Sequence, residues 1–251
     1  MAEWNTLGVG DGGLVRTDRG LRFVNPPTAD HRYTNAQIDD YQGRRRSDFR
    51  WRPPVTLTVC ARFSHPAGVL GGTAGFGFWN DPFLMTERRL PTLPRAVWFF
   101  YASPPSDMAL ALDVPGWGWK AACLDAHHGR ALAALPLLAL AAPLMHVEKW
   151  RRRLWPYFQR QLRAGEALAP VDMTAWHTYV LVWSTASCRF SVDGTTILTQ
   201  PSSPGGPLGL VVWLDNQYRV VRPTGRLCNG LVVRSETQWM EIGELTLSET
   251  G

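Results

Sequence analysis

The chain has 251 residues, of which 45% are hydrophobic and 19% charged, and its formal net charge is +5. This balance excludes an intrinsically disordered chain, and the length is sufficient for a single β-sandwich domain over residues 1–251. The basic residues are clustered, but they belong to no nucleic-acid-binding motif, so we expect no nucleic-acid partner.

The first part of the chain predicts short strands separated by Gly, Pro, Asn and Asp, from residue 1 to about residue 115. This pattern is typical of an all-β sandwich. Residues 14–27 predict a hairpin, and residues 54–65 alternate apolar and polar side chains as a half-buried strand does. Residues 72–83 predict the strand that follows.

Residues 94–105 read PRAVWFFYASPP and predict a further strand over residues 95–102. Successive side chains of a strand point to opposite faces, so four consecutive aromatic residues place large rings on both faces. One set of rings packs in the core, and the position of the other set, on the opposite face of the sheet, needs a different explanation. The sequence does not fix which set is which.

The composition then changes, because residues 131–145 contain only apolar side chains. A helix that spans a bilayer needs about twenty such residues, so this segment is too short to span. A basic amphipathic helix follows, with apolar residues every four positions at Trp150, Leu154, Phe158 and Leu162.

We therefore expect a helical insertion at about residues 120–170. Four roles remain open for it. It caps a groove, it makes peripheral contact with a membrane through residues 131–163, it packs against a partner subunit, or it forms a helical layer on the sandwich. We expect the cap, with weak membrane contact.

The β pattern returns at residues 175–200, where Asp193-Gly194 predicts a two-residue hairpin turn. Two closing strands are predicted within residues 206–221 and 238–249. The sequence thus predicts one all-β fold interrupted by a helical segment.

The four cysteines are far apart, with no Cys-x-x-Cys pair and no histidine at metal-ligand spacing; they are Cys60, Cys123, Cys188 and Cys228. We expect buried, reduced thiols, and nothing in the sequence indicates a metal or a cofactor. The first residues lack the basic start and apolar run of a secretory signal, which favours a cytoplasmic location.

The hairpin region resembles that of the concanavalin A-like lectin/glucanase superfamily. The likeness lies in Trp176-His177-Thr178-Tyr179, Trp183 and the run from Arg189 to Gly194, and it is nearest to family 16 glycoside hydrolases. It extends over most of residues 10–115 and 171–249. The resemblance implies a jelly-roll sandwich of two bent antiparallel sheets, with a substrate groove on the concave sheet.

Hydrolytic members of that family carry two glutamates and an aspartate on one strand, in the pattern Glu-x-Asp-x-(x)-Glu. The strand in this place is residues 95–102, which contains no carboxylate; the nearest acids are Glu87 and Asp107. The catalytic residues of the family therefore do not carry over, and we do not expect hydrolysis by a pair of carboxylates.

A groove without these acids would be apolar and aromatic. The expected ligand-binding residues are Trp79, Trp98, Phe100, Tyr101, Trp117, Trp119, Trp213, Asp215 and Tyr218. Any one of these aromatic residues is about as compatible with an ordinary core position as with a position in the groove.

The expected function is non-hydrolytic binding of an apolar or amphipathic ligand. Binding of a carbohydrate in the same groove is the second expectation. An enzyme is the alternative: Asp107 or Asp215, with a pKa raised by burial, would donate a proton in an isomerisation or cyclisation. A divergent glycoside hydrolase also remains open, and the oligomeric state is not indicated.

Overall fold

The computed structural model describes residues 4–28, 32–82, 92–222, 224 and 226–249. Within these residues the strands of the first half are β1 (Asn5–Val9), β2 (Gly13–Thr17), β3 (Gly20–Asn25), β4 (Asn35–Asp39), β5 (Val55–Phe63), β6 (Thr73–Trp79), β7 (Arg95–Ala102) and β8 (Gly118–Asp125). Helices α1 (Gly129–Ala141) and α2 (Glu148–Gln161) follow. The remaining strands are β9 (Gly165–Leu168), β10 (His177–Trp183), β11 (Cys188–Val192), β12 (Thr195–Gln200), β13 (Gly209–Asp215), β14 (Gln217–Val221), β15 (Leu227–Leu231) and β16 (Gln238–Ser248).

The strands form two seven-stranded antiparallel sheets. The front sheet has the order β1-β4-β13-β6-β7-β8-β9, and the back sheet has the order β12-β11-β10-β5-β16-β3-β2. Strands β14 and β15 form a separate hairpin. The expected all-β sandwich of two antiparallel sheets with a helical insertion is confirmed.

The hydrophobic core lies between the two sheets, and β5 shows why. Its alternate residues from Val55 to Phe63 are buried, while those between them are half-buried. Phe76 and Phe99 of the front sheet meet Tyr179 of the back sheet, with ring centroids 5.3 and 5.1 Å from it. Each buried side chain of this size contributes about 1.5–3 kcal/mol to the hydrophobic stabilisation.

The turn predicted at Asp193-Gly194 joins β11 to β12. Both residues have positive φ angles, 49° and 79°, as a two-residue hairpin turn of this type requires. Asp193 also accepts a hydrogen bond from the Thr178 amide at 2.8 Å and contacts His177 at 2.6 Å. The turn is thus fixed to the neighbouring strand as well as by its own backbone.

The helical insertion is shorter than the expected range of about 120–170. Residues 118–125 form β8, which pairs along its whole length with β7, and β9 pairs with β8. The helices therefore lie between two neighbouring strands of the front sheet. Within the described part of the chain, no helix is long and apolar enough to cross a membrane.

The cysteines differ in environment. Cys123 and Cys188 are buried as expected, Cys60 is only half-buried, and all four are free. Cys228 is exposed on β15, so the expectation that every thiol is buried is wrong. Its strand belongs to the separate two-stranded hairpin, in which the first three residues of β15 are exposed.

A candidate ligand-binding cavity

Strand β7 has a definite register. Val97, Phe99 and Tyr101 are buried in the core, whereas Trp98 and Phe100 are half-buried on the opposite, outer face of the front sheet. The outer face of this strand also carries Ala96 and Ala102 and so contains no carboxylate. The second set of rings therefore lies where the resemblance implied the acids of a hydrolase.

Two glycines of β6 make room for the indole rings on this face. Gly75 pairs with Trp213 of β13, and Gly77 pairs with Trp98 of β7. A Cβ atom on Gly75 would lie 2.7 Å from the Trp213 ring, and one on Gly77 would lie 2.6 Å from the Trp98 Cβ atom. Gly77 also has a φ of 149°, which side-chain-bearing residues rarely adopt.

The aromatic side chains of this face form one contiguous surface. Trp79 and Trp213 are parallel, with an interplanar angle of 4° and centroids 6.2 Å apart. Trp98 stacks on Phe100 at 5.3 Å and 20° and also lies 5.4 Å from Trp213. The Trp79 Nε1–H donates to the Tyr41 hydroxyl at 2.7 Å, which fixes one end of the set.

A partly open cavity of about 170 Å³ lies over this surface. Its walls include Met108 and Leu110 from the loop between β7 and β8, and Val221 from β14. The lining is mostly apolar, and the polar lining residues are Gln37, Thr73, Glu166, Asp215, Gln217 and Arg219. An apolar cavity with a few polar groups at its edges is the usual form of a small-molecule site.

Asp215 lies at one end of the cavity and is 2% exposed. Its Oδ1 accepts hydrogen bonds from the Thr73 hydroxyl at 2.8 Å, the Thr73 amide at 3.2 Å and the Gln217 amide at 3.0 Å. Burial raises the pKa of Asp215 to about 6, and these hydrogen bonds oppose that rise. The carboxyl group therefore changes charge close to neutral pH.

Arg219 lines the cavity beside Asp215. Burial lowers the pKa of Arg219, while the Asp215 carboxylate raises it. Burial and the same carboxylate raise the pKa of Tyr33. Asp215 thus lies close to a guanidinium group that lines the cavity and to the phenol of Tyr33, which does not line it, in a poorly solvated environment.

Glu166 of the edge strand β9 also lines the cavity, and it is buried as well. It accepts hydrogen bonds from the Leu110 and Ala111 amides at 2.6 and 2.8 Å and forms an ion pair with Lys120 at 3.2 Å. Burial raises the pKa of Glu166, and Lys120 opposes that rise. The side chain thereby holds the loop that forms one cavity wall.

Asp215 and Glu166 are too far apart to act as a glycosidase pair. They belong to β13 and β9, which are four strand spacings apart in the front sheet. At about 4.8 Å per spacing this is on the order of 19 Å. Retaining and inverting glycosidases hold their two carboxyl groups about 5 to 9.5 Å apart.

Five of the residues expected in the groove lie elsewhere. Tyr101 and Trp119 are in the core, because their positions on β7 and β8 face the back sheet. Trp117 precedes β8 and is 41% exposed beside Gly68. Tyr218 packs against Gly230 across the small hairpin, while its neighbours Gln217 and Arg219 face the cavity.

Asp107 is the fifth, and its expected role as an acid in the groove is not supported by its position. It forms an ion pair with Arg222 and lines a separate surface depression with Arg151 and Thr224. Glu87, the other acid considered near the strand, lies outside the described residues. Trp79, Trp98, Phe100, Trp213 and Asp215 do line the cavity.

The helical insertion does not cap the cavity, because no residue of α1 or α2 is among its lining residues. The helices pack behind the loop that forms the wall instead. The Trp155 Nε1–H donates to the Leu110 carbonyl oxygen at 2.7 Å. The expectation of a cap is therefore wrong, although α2 does support a wall of the cavity.

Sequence reasoning missed Glu166, Lys120 and the loop residues of the wall. Lys120 could have indicated the site, since it is the single charged side chain in residues 118–124 of a strand that ends at Asp125. A lysine in such a strand is rarely buried unless it is paired. Among the described residues, no cluster of histidine, cysteine or acidic side chains is placed to hold a metal ion.

No protein-family model matches the sequence, and no curated protein matches it. Solved structures do match the fold. A glycoside hydrolase family protein from Mycobacterium thermorestibile has a TM-score of 0.52 at 13% identity, over 98% of this chain and 93% of that chain. A transglycosylase in complex with NAG has a TM-score of 0.50 at 11% identity, over 99% of this chain and 79% of that chain.

Identities this low establish a common fold and no common activity. The chain thus shares the two-sheet sandwich fold of these two proteins, which confirms the fold that the resemblance implied.

Proposed function

We propose that this protein binds a small amphipathic ligand in the aromatic cavity and does not hydrolyse it with paired carboxylates. The observation that carries the proposal is the composition of the cavity floor. Trp79, Trp98, Phe100 and Trp213 form it, and its two buried carboxyl groups lie at separate ends. Such a floor offers apolar contact and no facing pair of acids.

The size of the cavity limits the ligand. A dry cavity of roughly 150 Å³ accommodates one benzene molecule, so a cavity of about 170 Å³ accommodates one ring-sized apolar group. The remainder of a larger ligand would extend through the open side. Walls formed by Met108, Leu110 and Val221 favour an apolar body over a flat polar one.

The polar end of the ligand would lie near Asp215, Gln217 and Arg219. A ligand hydroxyl or amide has both a carboxyl acceptor and a guanidinium donor available there. Polar groups placed at one end of an apolar site fix orientation and contribute specificity. This arrangement supports an amphipathic ligand better than a pure hydrocarbon.

A carbohydrate is the second candidate. Trp98 and Phe100 are half-buried and stacked, which leaves aromatic surface for the apolar face of a sugar ring. Two solved structures of similar fold are a glycoside hydrolase family protein and a transglycosylase in complex with NAG. Trp79 and Trp213 are each only 7% exposed, which leaves less ring surface than an open sugar-binding platform needs.

Native mass spectrometry of the purified protein, followed by organic extraction, tests the proposal. We expect a co-purified species of low mass with an apolar body and a polar end, released intact by extraction. Fluorescence titration with 1-anilinonaphthalene-8-sulfonate and with N-acetylglucosamine ranks the two candidates. Quenching by the sugar at lower concentration than by the apolar probe would favour the carbohydrate.

A further inference from the structure

Helix α1 exposes an entirely apolar face. The 15 residues 131–145 include no polar side chain. Leu137 is 50% exposed and Leu140 is 77% exposed, and Leu132 and Leu144 are almost half exposed. A surface helix of a globular protein is normally polar on its outer side, so this face is unusual.

The opposite face of α1 is already occupied. Ala134, Ala141 and Met145 pack with Trp155 and Phe158 of α2 in a separate hydrophobic cluster. The exposed leucines are therefore not the side of the helix that packs on its neighbour. Within the part of the chain that the structure describes, no other element covers them.

Helix α2, which packs against α1, carries exposed positive charge. Residues 129–161 contain six basic residues and one acidic residue, Glu148. Lys149, Arg152 and Arg153 are exposed. Trp150 and Tyr157 are 42% and 43% exposed on the same helix. Tryptophan and tyrosine at such positions are typical of the boundary between water and lipid.

We propose that the helical segment 129–161 docks on a membrane surface that contains anionic lipid. The leucines of α1 would enter the boundary between headgroups and acyl chains, and the basic residues of α2 would contact lipid phosphates and carboxylates. The segment binds at the surface and does not span the bilayer. This proposal does not depend on the identity of the ligand in the cavity.

A second copy of the chain is the main competing occupant. Two such segments placed face to face would bring six basic residues of each copy together with one acidic residue of each. Like charges placed opposite each other oppose association. The charge of the segment therefore favours an anionic surface over self-association.

Vesicle flotation with the full chain tests the proposal. We expect binding to vesicles of phosphatidylcholine with phosphatidylserine, at least about tenfold weaker binding to phosphatidylcholine alone, and weaker binding at high NaCl. Leu140→Glu should reduce binding at least about tenfold, because it places a charge in the apolar face. Leu227→Glu is the matched control, since Leu227 is 75% exposed on β15.

The basic residues have a matched control as well. The double variant Lys149→Glu and Arg153→Glu should reduce binding to anionic vesicles about tenfold or more, and Arg189→Glu, on the exposed side of β11, should not. Thermal unfolding confirms that each variant is folded. Equal binding to both vesicle types, or loss with Leu227→Glu as great as with Leu140→Glu, would overturn the proposal. A dimer in light scattering that Leu140→Glu dissociates would replace it with self-association.

Discussion

Trp98 and Phe99 are consecutive in β7, and their side chains lie on opposite faces of the front sheet. The Trp98 ring stacks on Phe100 over the cavity, whereas the Phe99 ring contacts Phe76 and Phe190 in the core, at 5.7 and 5.4 Å. One peptide bond thus separates a candidate binding surface from the centre of the sandwich. Substituting each residue of this pair in turn therefore tests the two faces of one strand separately.

Trp98→Ala should weaken binding of 1-anilinonaphthalene-8-sulfonate about tenfold, because it removes the largest half-buried ring from the cavity floor. Phe99→Ala should instead lower the free energy of unfolding by about 3–5 kcal/mol, the usual cost of removing a buried aromatic ring. Fluorescence titration and urea unfolding measure the two effects. Trp117→Ala, outside the cavity, is the control for the tryptophan. Equal probe binding by Trp98→Ala and the control would contradict the assignment of the cavity.

Gly77→Ala should destabilise the protein by about 1–3 kcal/mol or more. The added Cβ atom would lie 2.5 Å from the Val97 carbonyl oxygen and 2.6 Å from the Trp98 Cβ atom, and overpacking of this kind has that cost. Gly13→Ala, where no atom lies within 4 Å of the added Cβ, is the control. Urea unfolding compares the two, and a stability loss as large in the control would show that the close approach is unimportant.

The stability of the protein should fall as the pH rises from about 4 to about 7. The pKa of Asp215 is about 6 in the folded chain against its usual value of 3.8, so the folded state binds this proton more tightly than the unfolded state does. Protonation therefore favours folding, and its loss removes on the order of 3 kcal/mol of stability by pH 7. Asp215→Asn removes this contribution.

Urea unfolding of both proteins at about pH 4 and about pH 7.5 isolates the Asp215 contribution from those of other acids. The natural chain should lose more stability between these pH values than Asp215→Asn does. The same pH dependence in both proteins would show that the pKa of Asp215 is not raised.

Glu166→Gln should lower the free energy of unfolding by about 3–5 kcal/mol, because it leaves the buried Lys120 ammonium without its charged partner. The glutamine can still accept from the Leu110 and Ala111 amides. Adding Lys120→Met should restore part of the loss. Arg152→Ala removes an exposed ion pair with Glu148 and should cost less than about 1 kcal/mol. A loss that the second substitution does not reduce would mean that the ion pair is not its cause.

The protein should release no reducing ends from β-1,3- or β-1,4-glucans. No carboxyl group lies on the outer face of β7, and Asp215 and Glu166 are four strand spacings apart. A reducing-sugar assay with each polymer checks this. Turnover that is abolished by Asp215→Asn or by Glu166→Gln would identify a hydrolase and contradict the proposed function.

The alternation of apolar and polar residues was sufficient to predict β5, and the Asp-Gly pair was sufficient to predict the hairpin turn at residues 193–194. Alternation could not show which face of β7 points to the core. Aromatic residues occupy both faces of this strand, so its sequence does not distinguish a buried face from an exposed one. The choice depends on β6, where Gly75 and Gly77 leave space for rings on one face. That information lies in another strand and appears only once the strands are paired.

The second acid of the cavity was not predictable for a similar reason. Glu166 follows the helical segment in a strand of four residues, and its partner Lys120 lies on the other side of that segment, 46 positions before Glu166 in the sequence. A strand of four residues is too short to show a hydrophobic periodicity. An ion pair between residues so far apart in the sequence also produces no local sequence pattern. The prediction that the helices cap the cavity was wrong because an amphipathic pattern shows that one face of a helix packs but does not show which element it packs against.

The helical segment leaves and re-enters the front sheet at paired positions. Cys123 of β8 lies opposite Gly165 of β9, and the Asp125 amide donates to the Leu162 carbonyl oxygen at 2.8 Å where the chain returns. Antiparallel partners have Cα atoms about 5 Å apart, a gap that a tight turn closes. A tight turn in place of the helical segment would therefore leave the pairing register of β8 and β9 unchanged.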